Sequence, residues 1–112
     1  MINVTLDWDH ARRYVEQNDA MQDLVRSIER DLQDYVNRDG VDKVKRYLPT
    51  HYFDLSGYRY CNLLEDAGTW SRNEVLNAMH RAAAAMIVQE RIFGEVEAYN
   101  AFGRWVVGDH DT

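Results

Sequence analysis

The residues closest to a metal-binding pattern are two histidines, one near each end of the chain, with aspartates beside them. His10 follows Asp7 and Asp9, and His110 lies between two further aspartates. Imidazole and carboxylate groups bind divalent cations, so a site would form if the two ends of the chain met. The sequence has no Glu-x-x-His or His-x-x-x-His pair at helical spacing. We therefore expect no metal and no other cofactor.

Cys61 is the only cysteine of the sequence, which excludes an internal disulfide and a cysteine-based zinc cluster. A nucleophilic cysteine needs a base within hydrogen-bond reach, and no motif brings His51, ten residues upstream, to this thiol. The sequence also lacks a glycine-rich phosphate loop and a nucleophile elbow. We predict a protein that is not an enzyme.

Glu90 is the acidic residue whose position in the sequence is least typical of a solvent-exposed side chain. At about 100° per residue it falls within an apolar stripe of its helix, between Met86 and Phe93. A carboxylate taken out of water needs a positively charged or donor-rich partner, or else its pKa rises and it binds a proton. The pattern predicts an ion pair with an arginine of a neighbouring helix, or a place at the stripe edge where the carboxylate reaches water.

Charge is unevenly distributed along the 112 residues. The net charge is −6, and residues 43–64 hold four basic residues and one acidic residue, so this stretch carries +3 and the remainder −9. The acidic balance of the whole chain argues against generic binding to nucleic acid or anionic lipid, because both attract basic surfaces. The basic stretch is interleaved with aromatic residues, which makes it a candidate binding surface.

Three interpretations of the basic and aromatic stretch are open. Its rings could be core residues beside a solvated turn, or its tyrosines and arginines could contact another protein. It could also pair with phosphates and stack on bases of a nucleic acid. The predicted partner-binding residues are Lys43, Lys45, Arg46, Tyr47, Tyr52, Tyr58, Arg59 and Tyr60.

An acidic outer face over residues 16–34 is a second candidate docking surface. Glu16, Asp23 and Asp34 represent this face. Asp34 is spaced to pair with Arg30 and Arg38 at i,i+4, as charges on a solvated helix do.

Residues 8–37 are predicted to form one long helix, because apolar residues recur at 3-4 spacing over four heptads. Gly40 supplies a stop signal. Asn18 interrupts the apolar seam. Either the helix breaks there, with Asp19 capping a second segment, or Asn18 is a buried polar residue that sets the register. We favour the break.

Two shorter elements follow. Residues 41–48 predict a helical turn that ends at Pro49, and Thr50 can cap a helix over residues 50–66. Gly57 weakens this second prediction, since a mid-helix glycine costs about 1 kcal/mol relative to alanine. Gly68 closes the segment.

A second long helix is predicted over residues 72–102. Ser71 and Glu74 form a capping box at its start. The helix is apolar on two sides, which indicates either the buried centre of a bundle or a separate partner on each face. Gly94 could kink it. The second apolar stripe consists of Val88, Ile92, Val96 and Tyr99.

Helix length bears on oligomeric state. An unbroken helix of about 30 residues spans about 45 Å, whereas a globule of this chain length has a diameter of about 34 Å. The helices must therefore break near Asn18 and Gly94, or the molecule is elongated and associates through the overhang. We predict a homodimer whose interface is the stripe of Val88, Ile92, Val96 and Tyr99.

The two ends of the chain suggest a minor β element. Residues 2–6 alternate like a strand, and residues 105–107 could pair with them. No signal peptide is recognisable, and the longest apolar run, residues 82–88, is too short to cross a bilayer. We predict a cytoplasmic protein, which for a phage-encoded chain means the cytoplasm of the host.

Residues 49–55 resemble a segment of the phage antirestriction family called ocr, in which a proline precedes an aromatic residue, an aspartate and an aliphatic residue. Pro49, Tyr52, Asp54 and Leu55 carry the match. The resemblance implies a helical, dimeric inhibitor of host DNA enzymes. That family imitates the charge of DNA and is far more acidic, so for this chain the resemblance implies docking onto a host protein without DNA mimicry.

Together these observations predict a single, mainly α domain over residues 1–112, built as a small helical bundle. The predicted function is a small acidic protein-interaction module, a phage-type inhibitor of a host or defence enzyme of the antirestriction or anti-CRISPR type. The alternative is a nucleic-acid-binding accessory protein that uses the basic and aromatic residues of segment 43–60.

Overall fold

Helices occupy nearly all of the chain that the computed structural model describes, which is residues 8–48, residue 53 and residues 71–106. No strand occurs within these ranges, so the predicted mainly α bundle is confirmed. The helices are α1 (Trp8–Gln17), α2 (Asp19–Asp39), α3 (Val41–Tyr47), α4 (Arg72–Phe93) and α5 (Glu95–Val106).

The break between α1 and α2 lies at Asn18, as the interrupted seam predicted. The residue that caps α2 is Asn18 itself, so the assignment of the cap to Asp19 was wrong. Asn18 has extended backbone angles, and its side-chain oxygen accepts a hydrogen bond from the Met21 amide at 3.1 Å. Gln22 donates to the Val15 carbonyl at 2.7 Å, which satisfies an acceptor at the end of α1. An asparagine in this role ends one helix and starts the next.

Two glycines set the other sharp turns. Gly40 ends α2 with φ of 87° and Gly94 ends α4 with φ of 94°, backbone angles that favour glycine. The Gly94 amide still donates to the Glu90 carbonyl at 3.1 Å, after which the chain leaves in a new direction as α5. The predicted helix over residues 72–102 is therefore two helices, and the second continues to Val106.

The capping box at the start of α4 is confirmed. The Glu74 amide donates to the Ser71 hydroxyl oxygen at 3.1 Å, and the Ser71 amide donates to the Glu74 carboxylate at 3.2 Å. Two amides that the helix leaves unpaired are satisfied in this way.

Both breaks together decide the shape. The radius of gyration is 13.8 Å and the principal extents are 43 × 34 × 21 Å. A globular chain of this length has a radius of gyration of about 13 Å, so the helices fold back on one another instead of overhanging. The overhang therefore gives no reason for association.

The middle of α4 is the core of the bundle. All residues from 82 to 89 are buried, beginning with four alanines whose exposed fractions are at most 4 %. Helices α1, α2 and α5 all pack against α4. Of the two explanations predicted for its two apolar sides, the buried centre is confirmed, because three helices cover it. Its small side chains let the neighbouring backbones approach closely. Gln89 is the polar member of this run and is also fully buried.

Trp105 corrects the prediction of a strand near the C-terminus. It is helical, 2 % exposed, and packs with Phe53 and Phe102 at ring-centroid distances of 5.9 and 6.0 Å. Burial of the indole ring among these aromatic side chains is more favourable than pairing of residues 105–107 in an isolated two-stranded ribbon. Residues 2–6 and the predicted helix over residues 50–66, Phe53 apart, lie outside the described residues.

Of the two environments predicted for Glu90, the structure has the ion pair with an arginine of a neighbouring helix, and that arginine is Arg12 of α1. Two guanidinium nitrogens of Arg12 donate to the two carboxylate oxygens of Glu90 at 2.8 and 2.7 Å. Arg12 also donates to Glu16 at 3.2 Å, and these carboxylates raise the pKa of the arginine. The Glu90 side chain is only 16 % exposed, so this bidentate pair joins α1 to α4 at the margin of the core.

The glycine turn after α4 leads to a matched test. Gly94→Ala places a Cβ in a left-handed backbone conformation and should lower the free energy of unfolding by about 1 kcal/mol or more. Gly103 lies inside α5 with no heavy atom within 4 Å of an added Cβ. Gly103→Ala should therefore raise stability by about 0.4–1 kcal/mol. Urea unfolding measures both, and equal effects at the two sites would contradict this account.

The Arg12–Glu90 pair leads to a second test. Arg12→Met leaves a mostly buried carboxylate without its charged partner and should lower the free energy of unfolding by about 1.5–3 kcal/mol. The control is Arg26→Met, because the Arg26–Asp23 pair has side chains that are 68 % and 74 % exposed and should change stability by at most about 0.5 kcal/mol. A double-mutant cycle with Glu90→Gln isolates the pairwise energy. A coupling indistinguishable from zero would refute the role given to this pair.

Candidate docking surface

Helix α3 presents different faces to its surroundings because of its residue spacing. Val44 is fully buried and fixes α3 to the core. Lys43 and Tyr47, four residues apart, share an exposed side of the helix. Asp42 and Arg46 lie on another exposed side. Each side therefore leads to a separate candidate surface.

The first surface joins the end of α2 to α3 across the Gly40 turn, and we call Tyr35, Arg38, Asp39, Lys43 and Tyr47 the tyrosine–arginine corner. Arg38 donates through Nε and Nη2 to the two Asp39 oxygens at 3.1 and 2.9 Å. The Tyr47 hydroxyl donates to Asp39 Oδ2. The Arg38 guanidinium carbon lies 4.8 Å from the centre of the Tyr35 ring, a cation–π contact.

Electrostatics reinforce this network. The hydrogen bonds from Arg38 and then from Tyr47 lower the pKa of Asp39 to about 2, from 3.8. The bond to Asp39 in turn raises the pKa of the Tyr47 phenol. A carboxylate with a lowered pKa favours the folded state above its unfolded pKa. The contribution is therefore complete above pH 3.8 and is lost as the pH falls toward 2.

Several predicted partner-binding residues fall at this surface and others do not. Lys43 and Tyr47 belong to the corner, whereas Arg46 is exposed on another side of α3. Lys45 is half-buried, with its ammonium 3.9 Å from Glu97 of α5. The remaining predicted members, Tyr52, Tyr58, Arg59 and Tyr60, lie outside the described residues.

Three members of the corner were not predicted as binding residues. Tyr35 belonged to the apolar seam, and Arg38 was expected to pair with Asp34, but its guanidinium bonds to Asp39 instead. The available signal was the run of charges just before Gly40, because a glycine turn brings the end of one helix close to the next.

The predicted acidic face is divided between two helices. Glu16 is in α1 and bonds to Arg12, whereas Asp23 is in α2 and bonds to Arg26. Asp34 lines an open groove of about 490 Å³ beside the corner, together with Asp31, Tyr35 and Arg38. The break at Asn18 therefore separates Glu16 from the rest of this face.

The predicted dimer stripe is also divided. Val88 is fully buried within the monomer, so its assignment to a dimer interface is corrected: it is a core residue of α4. Ile92 is half-buried and packs against the core. Val96 and Tyr99 of α5 are 73 % and 52 % exposed. The turn at Gly94 causes this division, because it rotates α5 away from the line of α4.

The described residues were predicted to hold no metal site and no membrane-spanning segment. Among residues 8–48, 53 and 71–106, no three histidine, cysteine or acidic side chains are close enough to hold a metal ion. His80 of α4 stacks on Tyr14 of α1 with ring centroids 4.0 Å apart, and burial lowers the pKa of this imidazole. None of the described helices is long and apolar enough to cross a bilayer. Cys61, His51 and His110 lie outside the described part of the chain.

No protein-family model matches this sequence, and comparisons with curated proteins and with solved structures gave no match. The resemblance of residues 49–55 to the ocr family therefore stays a prediction.

Proposed function

We propose that this chain is a small non-enzymatic protein that docks onto another protein through the tyrosine–arginine corner. The observation that carries the proposal is Tyr47, which is 43 % exposed yet held by a hydrogen bond to a carboxylate that Arg38 also grips. Tyrosine and arginine supply much of the binding energy of protein interfaces. A tyrosine that is already fixed loses less conformational entropy when a partner covers it.

The charges around the corner favour a protein over a nucleic acid as the partner. Asp39 lies within the corner, and Asp31 and Asp34 line the adjacent groove. Phosphate backbones are repelled by such carboxylates and require an excess of unpaired basic groups. Here Arg38 is paired within the corner, while the exposed Lys43 is the observation in favour of the alternative, a nucleic-acid-binding accessory protein.

The biological class we propose is a phage-type inhibitor that acts on a host or defence enzyme, of the antirestriction or anti-CRISPR type, in the cytoplasm of the host. The resemblance at Pro49, Tyr52, Asp54 and Leu55 supports it. A small acidic chain whose exposed tyrosine and arginine are preorganised is suited to blocking an enzyme without performing chemistry.

We also propose a homodimer formed through α5. The stripe now consists of Val96 and Tyr99, which lie at i,i+3 on one side of the helix and are both exposed. Tyr99 borders a small cavity of about 110 Å³ that Asp9, Arg12, Ala83, Met86 and Phe102 also line. An exposed valine and an exposed tyrosine on one side of a helix suit a two-fold symmetric contact, because each copy presents the same pair to the other.

The docking proposal predicts the effect of single substitutions on capture of a partner. Tyr47→Ala and Arg38→Ala should each weaken binding of the captured protein at least tenfold, because interface anchors are worth about 2 kcal/mol or more. Arg30→Ala is the matched control. This arginine is also exposed on α2 but lies outside the corner, and it comes no closer than 4.0 Å to its acidic neighbour Asp31. The partner is captured from a bacterial lysate with the immobilised full chain and then titrated against each purified variant.

Two results would contradict docking through this corner. One is unchanged affinity for the Tyr47→Ala variant, with circular dichroism showing that it folds. The other is a mobility shift of duplex DNA at low salt that Lys43→Gln abolishes, which would favour the nucleic-acid alternative.

The dimer proposal predicts that Val96→Glu produces a monomer at concentrations where the unchanged chain is a dimer, because it places a charge in the apolar contact. Val41→Glu is the control, since Val41 is also an exposed valine, at 37 %, but lies on α3. Light scattering across micromolar concentrations measures both. A monomeric unchanged chain would contradict the proposal.

A further inference from the structure

A second cleft, distinct from the tyrosine–arginine corner, lies between α3 and α5. It is open, has a volume of about 620 Å³, and is lined by Asp42, Lys45 and Arg46 from α3 and by Glu97 and Arg104 from α5. The α3 residues are spaced at i, i+3 and i+4, and the α5 residues at i and i+7. Each set therefore shares one side of its helix, and the two sides converge on the cleft.

The positive groups of this cleft are only partly used. Arg46 donates Nε to the backbone carbonyl of Asp42 at 3.2 Å, and its terminal nitrogens make no hydrogen bond to the described part of the chain. Lys45 approaches Glu97 only to 3.9 Å, too far for a hydrogen bond. Arg104 is half-buried and makes no hydrogen bond or ion pair with the residues that the structure describes. A ligand's acceptor could complete the hydrogen bonds that this half-buried guanidinium does not make within those ranges.

The balance of charge indicates what that ligand is. The described residues that line the cleft comprise three cations and two carboxylates, an excess of one positive charge. One carboxylate neutralises this excess and matches the planar fork of a guanidinium. A phosphate dianion would bring a second negative charge close to Asp42 and Glu97, and like charges at that distance repel. The site is therefore better suited to a carboxylate than to a phosphate.

We propose that the α3–α5 cleft binds a carboxylate side chain from an acidic segment of the partner protein, with Arg104 and Arg46 as its donors. This inference rests on the proposed protein-docking function and deepens it. Helix α3 contributes Tyr47 to the corner and Arg46 to the cleft, one residue apart, so a partner seated on the corner lies beside the cleft. The partner would present an acidic residue next to the surface that covers Tyr47.

The test uses the full chain and hexaglutamate as the probe, titrated by calorimetry at about 20 mM ionic strength, where charges are weakly screened. Hexaglutamine and inorganic phosphate are titrated in parallel. Because the chain carries −6 overall, generic attraction to a polyanion is absent, and binding of hexaglutamate must come from a local positive site. We expect hexaglutamate to bind more tightly than phosphate and hexaglutamine not to bind.

Substitutions locate the site. Arg104→Gln and Arg46→Gln should each weaken hexaglutamate binding about tenfold, which corresponds to the loss of a charge-assisted hydrogen bond. Arg30→Gln, an exposed arginine of α2 that is outside the cleft, should leave the affinity unchanged. Arg46 is exposed and its substitution does not disturb the core, so it carries the test if the Arg104 variant fails to fold.

Each outcome has a definite meaning. No binding of hexaglutamate, binding that neither arginine substitution weakens, or tighter binding of phosphate overturns the inference. The proposed docking function fails separately, when Tyr47→Ala leaves partner capture unchanged. Loss of hexaglutamate binding with partner capture intact would therefore remove the carboxylate site and retain the docking corner.

Discussion

The architecture depends on the burial of α4 on all its sides. From residue 82 to residue 89 no side of this helix can face water, because every residue is buried and only Gln89 is polar. A helix of this kind is stable only if other helices surround it, since its apolar side chains would otherwise be exposed to water. The four alanines make this possible in 112 residues by letting α1, α2 and α5 approach its backbone closely.

Surrounding one helix with segments of the same chain requires sharp reversals at defined places. A continuous helix over residues 8–39 could cover only one side of α4, and a continuous helix from residue 72 onward could not return to cover itself. Asn18 and Gly94 resolve the two cases by different means: Asn18 caps a new helix with its side chain, and Gly94 adopts a backbone angle that other residues disfavour. The Arg12–Glu90 pair then fixes α1 against α4 where the apolar contact ends.

Features with a local physical cause could be predicted from the sequence. The capping box at Ser71, the glycine stop at Gly40 and the need of Glu90 for an arginine each follow from spacing within a few residues or from one stripe. Features decided by tertiary packing could not. Val88 is apolar whether it is covered by a second copy of the chain or by the helices packed around α4. The residues around Trp105 are compatible with a strand and with a helix. Arg38 bonds to Asp39 and not to Asp34, and Tyr47 reaches the same carboxylate because the chain turns at Gly40.

The candidate surfaces depend on how α3 is held. Seven residues are too few for an independently stable helix, so α3 exists because tertiary contacts hold it. Val44 inserts fully into the core, the Tyr47–Asp39 bond ties one side to α2, and Lys45 faces Glu97 of α5 on the other. The contacts that hold α3 thus come from both of the surfaces it helps to form. A partner that covers the corner and places a carboxylate between Arg46 and Arg104 would strengthen the same attachments, so binding and the ordering of α3 stabilise each other.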